Sequence, residues 1–211
     1  MRNNKKYSVV MFDFGGVIAE EGFVQGMKAI AEKHGLDPSF VEKTATSVLY
    51  DSGYLCGKST EEAFWESFKR KFDLNESVQD LRNEVLSRFV LRPWMLKLMR
   101  TLHDLGYATV LLTDQTNWIE EINEKASFYD IFDYVFNSYR LGKSKHDGTI
   151  FQDVLNTLHE DPGSIIFVDD KEENVTLAKK LGIVGILYKN KAELLRDLCL
   201  LLPELSRTSF D

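Results

Sequence analysis

Residues 7–18 read YSVVMFDFGGVI, in which the apolar run Tyr7–Phe12 stops at Asp13 and Gly15 and Gly16 follow shortly after. The same pattern returns at residues 165–170, IIFVDD. Three further short apolar runs are Ala108–Leu112, Tyr134–Phe136 and Val184–Leu187. Continuous apolar runs, as opposed to alternating ones, are typical of strands that are covered on both faces. The sequence therefore predicts a parallel sheet buried between helices.

Segments of helical period separate the later runs. The segment after Pro93 carries a regular apolar stripe and ends at Gly106, which matches the preference for proline in the first turn and glycine after the last. Two more such segments cover residues 151–158 and 175–181, and Gly182 stops the second. This alternation of strands and helices predicts an α/β fold with a Rossmann-like, doubly wound parallel sheet.

Residues 19–92 interrupt this alternation, because no strand-like run occurs there. We expect a capping box formed by Ser59 and Glu62 at the start of one helix in this stretch. Four segments in it have helical period: Phe23–His34, Pro38–Tyr50, Ser59–Phe72 and Asn75–Val90. The sequence thus predicts an all-helical cap at residues 19–92, inserted into an α/β core formed by residues 1–18 and 93–211.

Length, charge and cysteine content limit the class of protein. A chain of 211 residues is long enough for one domain with an insertion. The formal net charge of −7 disfavours nucleic-acid binding, which needs a basic face. The two cysteines, Cys56 and Cys199, are too far apart in sequence to suggest a disulfide framework or a zinc site. The chain has no apolar run of the roughly 20 residues that a membrane helix needs, and we expect a cytoplasmic protein without membrane or nucleic-acid partners.

Polar residues with useful chemistry follow four of the predicted strands. Ligands of open α/β sheets bind beyond the carboxyl ends of the strands, so these residues should meet at one edge. They are Asp13, Thr113, Lys145 (with Lys143 as a weaker candidate) and the pair Asp169–Asp170. Each residue alone is more simply a helix cap, a turn residue or a solvated charge. Four such coincidences at consecutive strand ends favour a shared site.

Phosphoryl transfer through an aspartyl intermediate needs this set of side chains. A carboxylate can attack phosphorus and form an acyl phosphate. Mg²⁺ prefers oxygen ligands, commonly one or two carboxylates together with phosphate and water. A lysine and hydrogen-bond donors stabilise the charge on the phosphoryl oxygens. Gly15 and Gly16 would let the backbone approach the phosphate closely.

The chain resembles the haloacid dehalogenase superfamily, in the subgroup with a helical cap after the first motif. The stretches that carry the resemblance are FDFGGV, LLTDQTN, KHDGTIF, FVDDKEEN and, in the cap, YLCGKSTEEAFW. The resemblance implies that Asp13 is the nucleophile and a metal ligand. It implies further ligands in the Gly15 carbonyl, Asp169 and Asp170, phosphate contacts from Gly15, Gly16, Thr113, Asp114 and Lys145, and support of the Asp170 loop by Asn174.

Two positions depart from the family pattern. Phosphatases of the family usually carry a second aspartate two residues after the nucleophile, where this chain has Gly15. Proton transfer would then depend on another acid, for instance one from the cap, or on a substrate with a good leaving group. If the side chain is simply missing, Gly15→Asp should raise the rate, or at least not abolish it. The second departure is His146, in place of the usual proline, which is a loop variation or a titratable group near the site.

The sequence therefore predicts a Mg²⁺-dependent phosphohydrolase acting on a small phosphorylated metabolite, such as a sugar phosphate or a nucleotide. Replacement of the second aspartate by Gly15 leaves open a slow or non-catalytic module that binds a phosphorylated ligand or a partner. A metal-independent dehalogenase is a weaker alternative, because the fourth motif retains both Asp169 and Asp170. The sequence does not identify the substrate or the oligomeric state.

Overall fold

The computed structural model describes residues 5–210 of the chain. Within that range five parallel strands form one sheet in the order β3-β2-β1-β4-β5. The strands are β1 Val9–Phe12, β2 Ala108–Thr113, β3 Tyr134–Asn137, β4 Ile165–Asp169 and β5 Val184–Leu187. These bounds lie within two residues of the predicted apolar runs. The fold class predicted from the sequence, a Rossmann-like parallel α/β sheet with helices, is confirmed.

Ten α-helices accompany the sheet in the described range. Their bounds are α1 Gly22–Lys33, α2 Pro38–Asp51, α3 Glu61–Phe72, α4 Val78–Leu86, α5 Pro93–Asp104, α6 Trp118–Ala126, α7 Ser138–Leu141, α8 Thr149–Leu158, α9 Glu172–Lys180 and α10 Lys191–Leu201. None of these helices is both long and apolar enough to cross a membrane.

Both faces of the central strand β1 are covered, which explains why this strand is apolar throughout. Val10 and Phe12 of β1 face a large core that also includes residues of α5, α6 and α10. Val9 and Met11 face a second core, formed with residues of α8 and α9. All four side chains are at most 1% exposed. Burial on both sides needs apolar residues at every position of the strand, so the alternating pattern of a half-exposed strand is absent.

Helices α1 to α4 lie between β1 and β2 in sequence, where the helical insertion was predicted. The chain leaves and returns at two paired segments, since the Glu20 N–H donates to the Val90 carbonyl and the Arg92 N–H to the Ile18 carbonyl. The Arg92 side chain ties these segments together by donating to the Val17 carbonyl and to Glu20. The division into a core and a separate cap stays a prediction.

Two local expectations for the insertion are wrong. The cap of α3 is Thr60, whose hydroxyl accepts from the Ala63 N–H at 3.2 Å, and not Ser59. Helix α4 is shorter than the predicted Asn75–Val90: the Ser77 hydroxyl caps its start and the helix ends at Leu86. Beyond the helix, the Val90 carbonyl accepts a hydrogen bond from the Glu20 N–H, which is incompatible with a helix that continues to Val90.

Candidate active site

Asp13 follows the central strand of the sheet, next to the point where the strand order reverses. Its N–H continues the parallel pairing by donating to the Val168 carbonyl at 2.9 Å. The Phe14 N–H donates to Asp13 Oδ1 at 2.7 Å. The side chain is nearly buried, and it lines a pocket at the carboxyl edge of the sheet. This is where ligands bind in open parallel sheets.

Lys145 joins the ends of β1 and β4. Its ammonium group lies 2.8 Å from Asp13 Oδ1 and 2.7 Å from Asp169 Oδ2, and the residue is 1% exposed. Its backbone N–H donates to Asp114 Oδ1 at 3.0 Å, and the Ser138 hydroxyl donates to the same oxygen. The carboxylate of Asp114 therefore fixes the loop that presents Lys145.

Three carboxylates meet at this edge of the sheet. One oxygen from each of Asp13, Asp169 and Asp170 lies within 4.8 Å of the others. Asp169 is fully engaged, because it accepts from Lys145, from the Lys171 N–H at 2.8 Å and from the Asn174 amide at 3.0 Å. Asp170 Oδ1, by contrast, is buried with no hydrogen-bond partner among the described residues.

The electrostatics of the cluster favour a cation. Burial raises the pKa of Asp13 well above its ordinary value, although Lys145 acts in the opposite direction. Burial also raises the pKa of Asp170, and the neighbouring charge of Asp169 adds to this effect. Burial alone would lower the pKa of Lys145, but the surrounding carboxylates raise it, so the lysine stays charged. Three carboxylates against one buried ammonium leave excess negative charge, which a divalent cation would offset.

The donor set fits Mg²⁺. All candidate ligand atoms are oxygens, which this hard cation prefers, and Asp170 Oδ1 has no competing partner among the described residues. Gly16 makes room for that carboxylate: its φ is +78°, and a Cβ built on it would lie 2.2 Å from Asp170 Oδ2. A side chain at position 16 would displace Asp170, so the close approach requires glycine there.

Thr113 ends β2 beside the cluster, and its Oγ1 is buried without a hydrogen-bond partner in the described range. A buried hydroxyl without a partner costs free energy, so such groups commonly serve a ligand. Asn174 supports Asp169, as described above. The structure thus brings most of the predicted site residues to one edge of the sheet. Their roles in binding and catalysis remain predictions.

Lys143 and His146, two further residues considered from the sequence, lie outside the carboxylate cluster. Lys143 is paired with Asp153, its ammonium group 2.6 Å from the carboxylate, so it does not share the position of Lys145. His146 is exposed, and its ring packs against Tyr50 with 5.7 Å between the ring centroids. Tyr50 lines the pocket, so His146 lies next to the pocket without lining it.

The structure adds pocket residues that the sequence interpretation missed. The polar ones are Glu21, Thr46, Tyr50, Gln115, Thr116 and Lys171. Gln115, Thr116 and Lys171 directly follow predicted site residues, which is a signal that could have identified them. Glu21 and Tyr50 come from the helical insertion and have no such signal. Burial raises the pKa of Glu21 above its ordinary value, and it raises that of Tyr50 to about 12.

The pocket in front of Asp13 is small, with a volume of about 70 Å³. Liquid water occupies about 30 Å³ per molecule, so the pocket in this form holds only a group of a few heavy atoms. Its roof is apolar and is contributed by the insertion and by α6. The apolar lining residues are Phe23, Val24, Leu49, Leu55 and Trp118.

Comparison with known proteins gives a family match and distant relatives. The model of the family described as haloacid dehalogenase-like hydrolase matches residues 7–182. Bifunctional epoxide hydrolase 2 of Sus scrofa is 25% identical over 209 residues, which cover 89% of this chain but 37% of that protein. The chain thus spans a little over a third of the length of that relative.

Two matches from Bacteroides thetaiotaomicron cover nearly the whole length of the matched chain. The D-ribitol-5-phosphate phosphatase is 26% identical, with 92% of this chain and 97% of that protein covered. The magnesium complex of a HAD family enzyme aligns with a TM-score of 0.73 at 21% identity, covering 91% of this chain and all of that one. At this identity the solved structure is evidence for the fold alone.

Proposed function

The chain belongs to the haloacid dehalogenase-like hydrolase family, and we propose on that premise that it is a Mg²⁺-dependent phosphatase of small phosphorylated metabolites. The reaction would pass through an aspartyl phosphate on Asp13. One observation carries this proposal: Lys145 bridges Asp13 and Asp169, while Asp170 Oδ1 and Thr113 Oγ1 have no partner among the described residues. The cluster thus combines a nucleophile with groups available to a metal and a phosphate.

In this proposal Asp13 attacks phosphorus through Oδ2, because Oδ1 already accepts from Lys145 and from the Phe14 N–H. Lys145 orients Asp13 and opposes the effect of burial on the pKa of Asp13, and its charge attracts the phosphoryl oxygens. Thr113 donates its hydroxyl to the phosphoryl group. Asp114 contributes by holding the backbone of Lys145, since its carboxylate accepts hydrogen bonds there.

Asp13, Asp170 and the Gly15 carbonyl would hold Mg²⁺, and Asp169 would contribute through water or directly. The bound ion would neutralise charge on the phosphate and fix its orientation. Asp169 and Asn174 keep the loop after β4 in place, because Asn174 donates to both oxygens of Asp169. The similarity to a D-ribitol-5-phosphate phosphatase supports the proposed phosphatase activity.

Residues 19–92 would act as a cap over a core formed by residues 1–18 and 93–211. The pocket volume of about 70 Å³ leaves space for little more than the phosphoryl group, so the insertion must shift to admit a substrate. Closure would then exclude water from the reacting phosphate. We further propose a substrate of sugar phosphate or nucleotide size and a cytoplasmic location.

Two alternatives remain distinct from this proposal. A dehalogenase would use Asp13 without a metal, and the retained pair Asp169–Asp170 supports the metal-dependent reaction instead. A binding module without turnover would keep the metal site and lack hydrolytic activity. The replacement of the second aspartate by Gly15 is the reason to test this alternative. Hydrolysis of p-nitrophenyl phosphate distinguishes them, because this leaving group needs little protonation.

The experiment compares wild type, Asp13→Asn and the matched control Asp153→Asn, each with Mg²⁺ and with EDTA. Asp153 is paired with Lys143 outside the pocket. We expect Mg²⁺-dependent hydrolysis in wild type and control, and none in Asp13→Asn. Turnover that persists in Asp13→Asn would exclude the aspartyl mechanism. Mg²⁺ binding without any turnover in wild type would favour the binding module.

A further inference from the structure

The proposed reaction needs a proton donor and a base that Gly15 does not supply. The leaving oxygen must be protonated, and the water that cleaves the aspartyl phosphate must lose a proton. The titratable groups that line the pocket besides Asp13 are Glu21, Tyr50, Asp114, Lys145 and Lys171. Their positions and hydrogen bonds decide which of them is free to do this.

Glu21 occupies the space directly in front of residue 15. A Cβ built on Gly15 would lie 2.8 Å from Glu21 Oε2 and 3.2 Å from Gln115 Nε2. The backbone of Gly15 has no positive φ, so an ordinary residue could adopt its conformation. The carboxylate of Glu21 therefore fills the place that a side chain at position 15 would need.

The carboxylate of Glu21 lies near the charge of Lys171 and the Val24 N–H, which both favour its ionised form. No side chain among residues 5–210 donates a hydrogen bond to it or forms an ion pair with it. Its neighbour Glu20, by contrast, is bound to Arg92. Because Glu21 immediately precedes α1, its carboxylate reaches the pocket from the insertion and not from the sheet.

The other titratable groups are committed or unsuitable. Lys145 is held by two carboxylates, and Asp114 accepts from Ser138 and from the Lys145 backbone. Lys171 is an exposed cation at the rim and has no lone pair to accept a proton while it is charged. Tyr50 is 37% exposed and its phenol carries its proton at neutral pH, so it is a poor base.

We infer that Glu21 is the general acid and base of the reaction proposed above, supplied by the insertion in place of a side chain at position 15. Its carboxyl group donates a proton to the leaving oxygen as the bond from that oxygen to phosphorus breaks and Asp13 becomes phosphorylated. The resulting carboxylate then takes one proton from a water molecule. The hydroxide portion of this water attacks phosphorus, the bond to Asp13 breaks, and phosphate leaves with Glu21 protonated again.

Comparison of two leaving groups tests this assignment. Glu21→Gln keeps the shape of the side chain, and Glu20→Gln is the matched control at the neighbouring carboxylate. With glycerol 2-phosphate, whose alkoxide needs a proton, we expect Glu21→Gln to lower kcat by about 10²–10⁴-fold. With p-nitrophenyl phosphate we expect a rapid burst of about one nitrophenolate per site, followed by slow turnover because the second step lacks its base. Glu20→Gln should match wild type in both assays.

A double variant provides an independent readout. The structure revises the expectation that Gly15→Asp alone raises the rate, since the new side chain would meet Glu21 Oε2. The double variant Gly15→Asp/Glu21→Ala removes that conflict. We expect its activity on glycerol 2-phosphate to be at least about tenfold higher than that of Glu21→Ala alone.

Three outcomes would overturn the assignment. One is an unchanged kcat of Glu21→Gln on glycerol 2-phosphate. Another is an equal loss on both substrates without a burst, which indicates a structural role. The third is that wild type turns over neither of the two substrates, which would also contradict the proposed function. Wild-type turnover with an unaffected Glu21→Gln would remove the assignment alone.

Discussion

Lys145 Nζ lies 2.8 Å from Asp13 Oδ1 in a site where the two side chains are 2% and 9% exposed. Water cannot solvate either charge effectively, so each depends on the other. Lys145 also contacts Asp169, and it is the one ammonium group that contacts the carboxylate cluster among the described residues. The pair therefore links the geometry of the candidate site to folding stability.

Replacing Lys145 should destabilise the protein as well as inactivate it. Removing one partner of a buried ion pair costs about 3–5 kcal/mol, because the other charge stays buried. We expect Lys145→Met to lower the free energy of unfolding by about this much in EDTA, and by less in Mg²⁺. The control Lys143→Met removes a partly exposed pair with Asp153 and should cost about 1 kcal/mol or less. Equal urea unfolding curves for the two variants would contradict the prediction.

Mg²⁺ should stabilise the folded protein through Asp170. A ligand present at 100 times its dissociation constant adds about 2.7 kcal/mol to folding stability. For a chain of this size each kcal/mol corresponds to a shift of roughly 2–4 °C in Tm. We expect Mg²⁺ to raise the Tm of wild type by several degrees and that of Asp170→Asn by little.

The control for this measurement is Asp161→Asn, at a carboxylate that bonds to the Gly163 N–H away from the cluster. This variant should retain the full Mg²⁺ effect. Calorimetric titration with Mg²⁺ gives a second readout that does not depend on unfolding. A Tm increase of equal size in wild type and Asp170→Asn would mean that the ion binds elsewhere.

The strand ends were predictable because they depend on local sequence. A fully apolar run that stops at a carboxylate marks both the strand and its end, as at Asp13 and Asp169. The rule that parallel strands present their carboxyl ends at one edge then brings Lys145 and Asp170 to the same place. These steps need no knowledge of how distant segments pack.

The insertion was predictable as helical but not in its orientation. Which of its side chains enter the pocket depends on long-range contacts, such as the Tyr54 hydroxyl donating to Asn117 Oδ1 at 2.6 Å. No local period encodes such a contact, so Glu21 and Tyr50 could not be assigned to the site from sequence. The ring of Trp118, which packs against Phe64 and Trp65 of α3, belongs to the same long-range packing.

Gly16 should resist substitution for two separable reasons. Its φ of +78° strains any residue with a Cβ, and that Cβ would also collide with Asp170. Gly106 has a φ of +83°, but a Cβ built on it would meet no atom within 4 Å, so it isolates the first reason. We expect Gly106→Ala to cost about 1 kcal/mol of stability without loss of activity.

Gly16→Ala should cost more stability and should weaken Mg²⁺ binding, because Asp170 must move. The measurements are urea unfolding and Mg²⁺ titration of both variants. If Gly16→Ala binds Mg²⁺ as tightly as Gly106→Ala does, the position of Asp170 does not control the metal site.

Glu121 of α6, which bonds to Arg82 of α4, should make the free energy of unfolding depend on pH. Hydrogen bonds from Arg82 on α4 and from Lys125 lower its pKa from 4.5 to about 2. A carboxylate with a lowered pKa stabilises the folded state fully above its unfolded value, and this contribution is lost as the pH falls toward the folded value. Glu121→Gln should therefore be less stable than wild type at pH 7 by about 1 kcal/mol or less, since the pair is partly solvated.

The difference in free energy of unfolding between wild type and Glu121→Gln should shrink as the pH falls from 5 toward 3, where the wild-type carboxylate loses this advantage. The control is Glu124→Gln, an exposed residue of the same helix that takes part in none of the ion pairs found between residues 5 and 210. Its difference from wild type should be near zero at both ends of the range. Arg82 also donates to Glu61 of α3. Loss of Glu121 therefore removes the contact between α4 and α6 and leaves the contact between α4 and α3 intact. A difference that stays constant from pH 7 to pH 3 would show that the pairing with Arg82 does not stabilise the folded state.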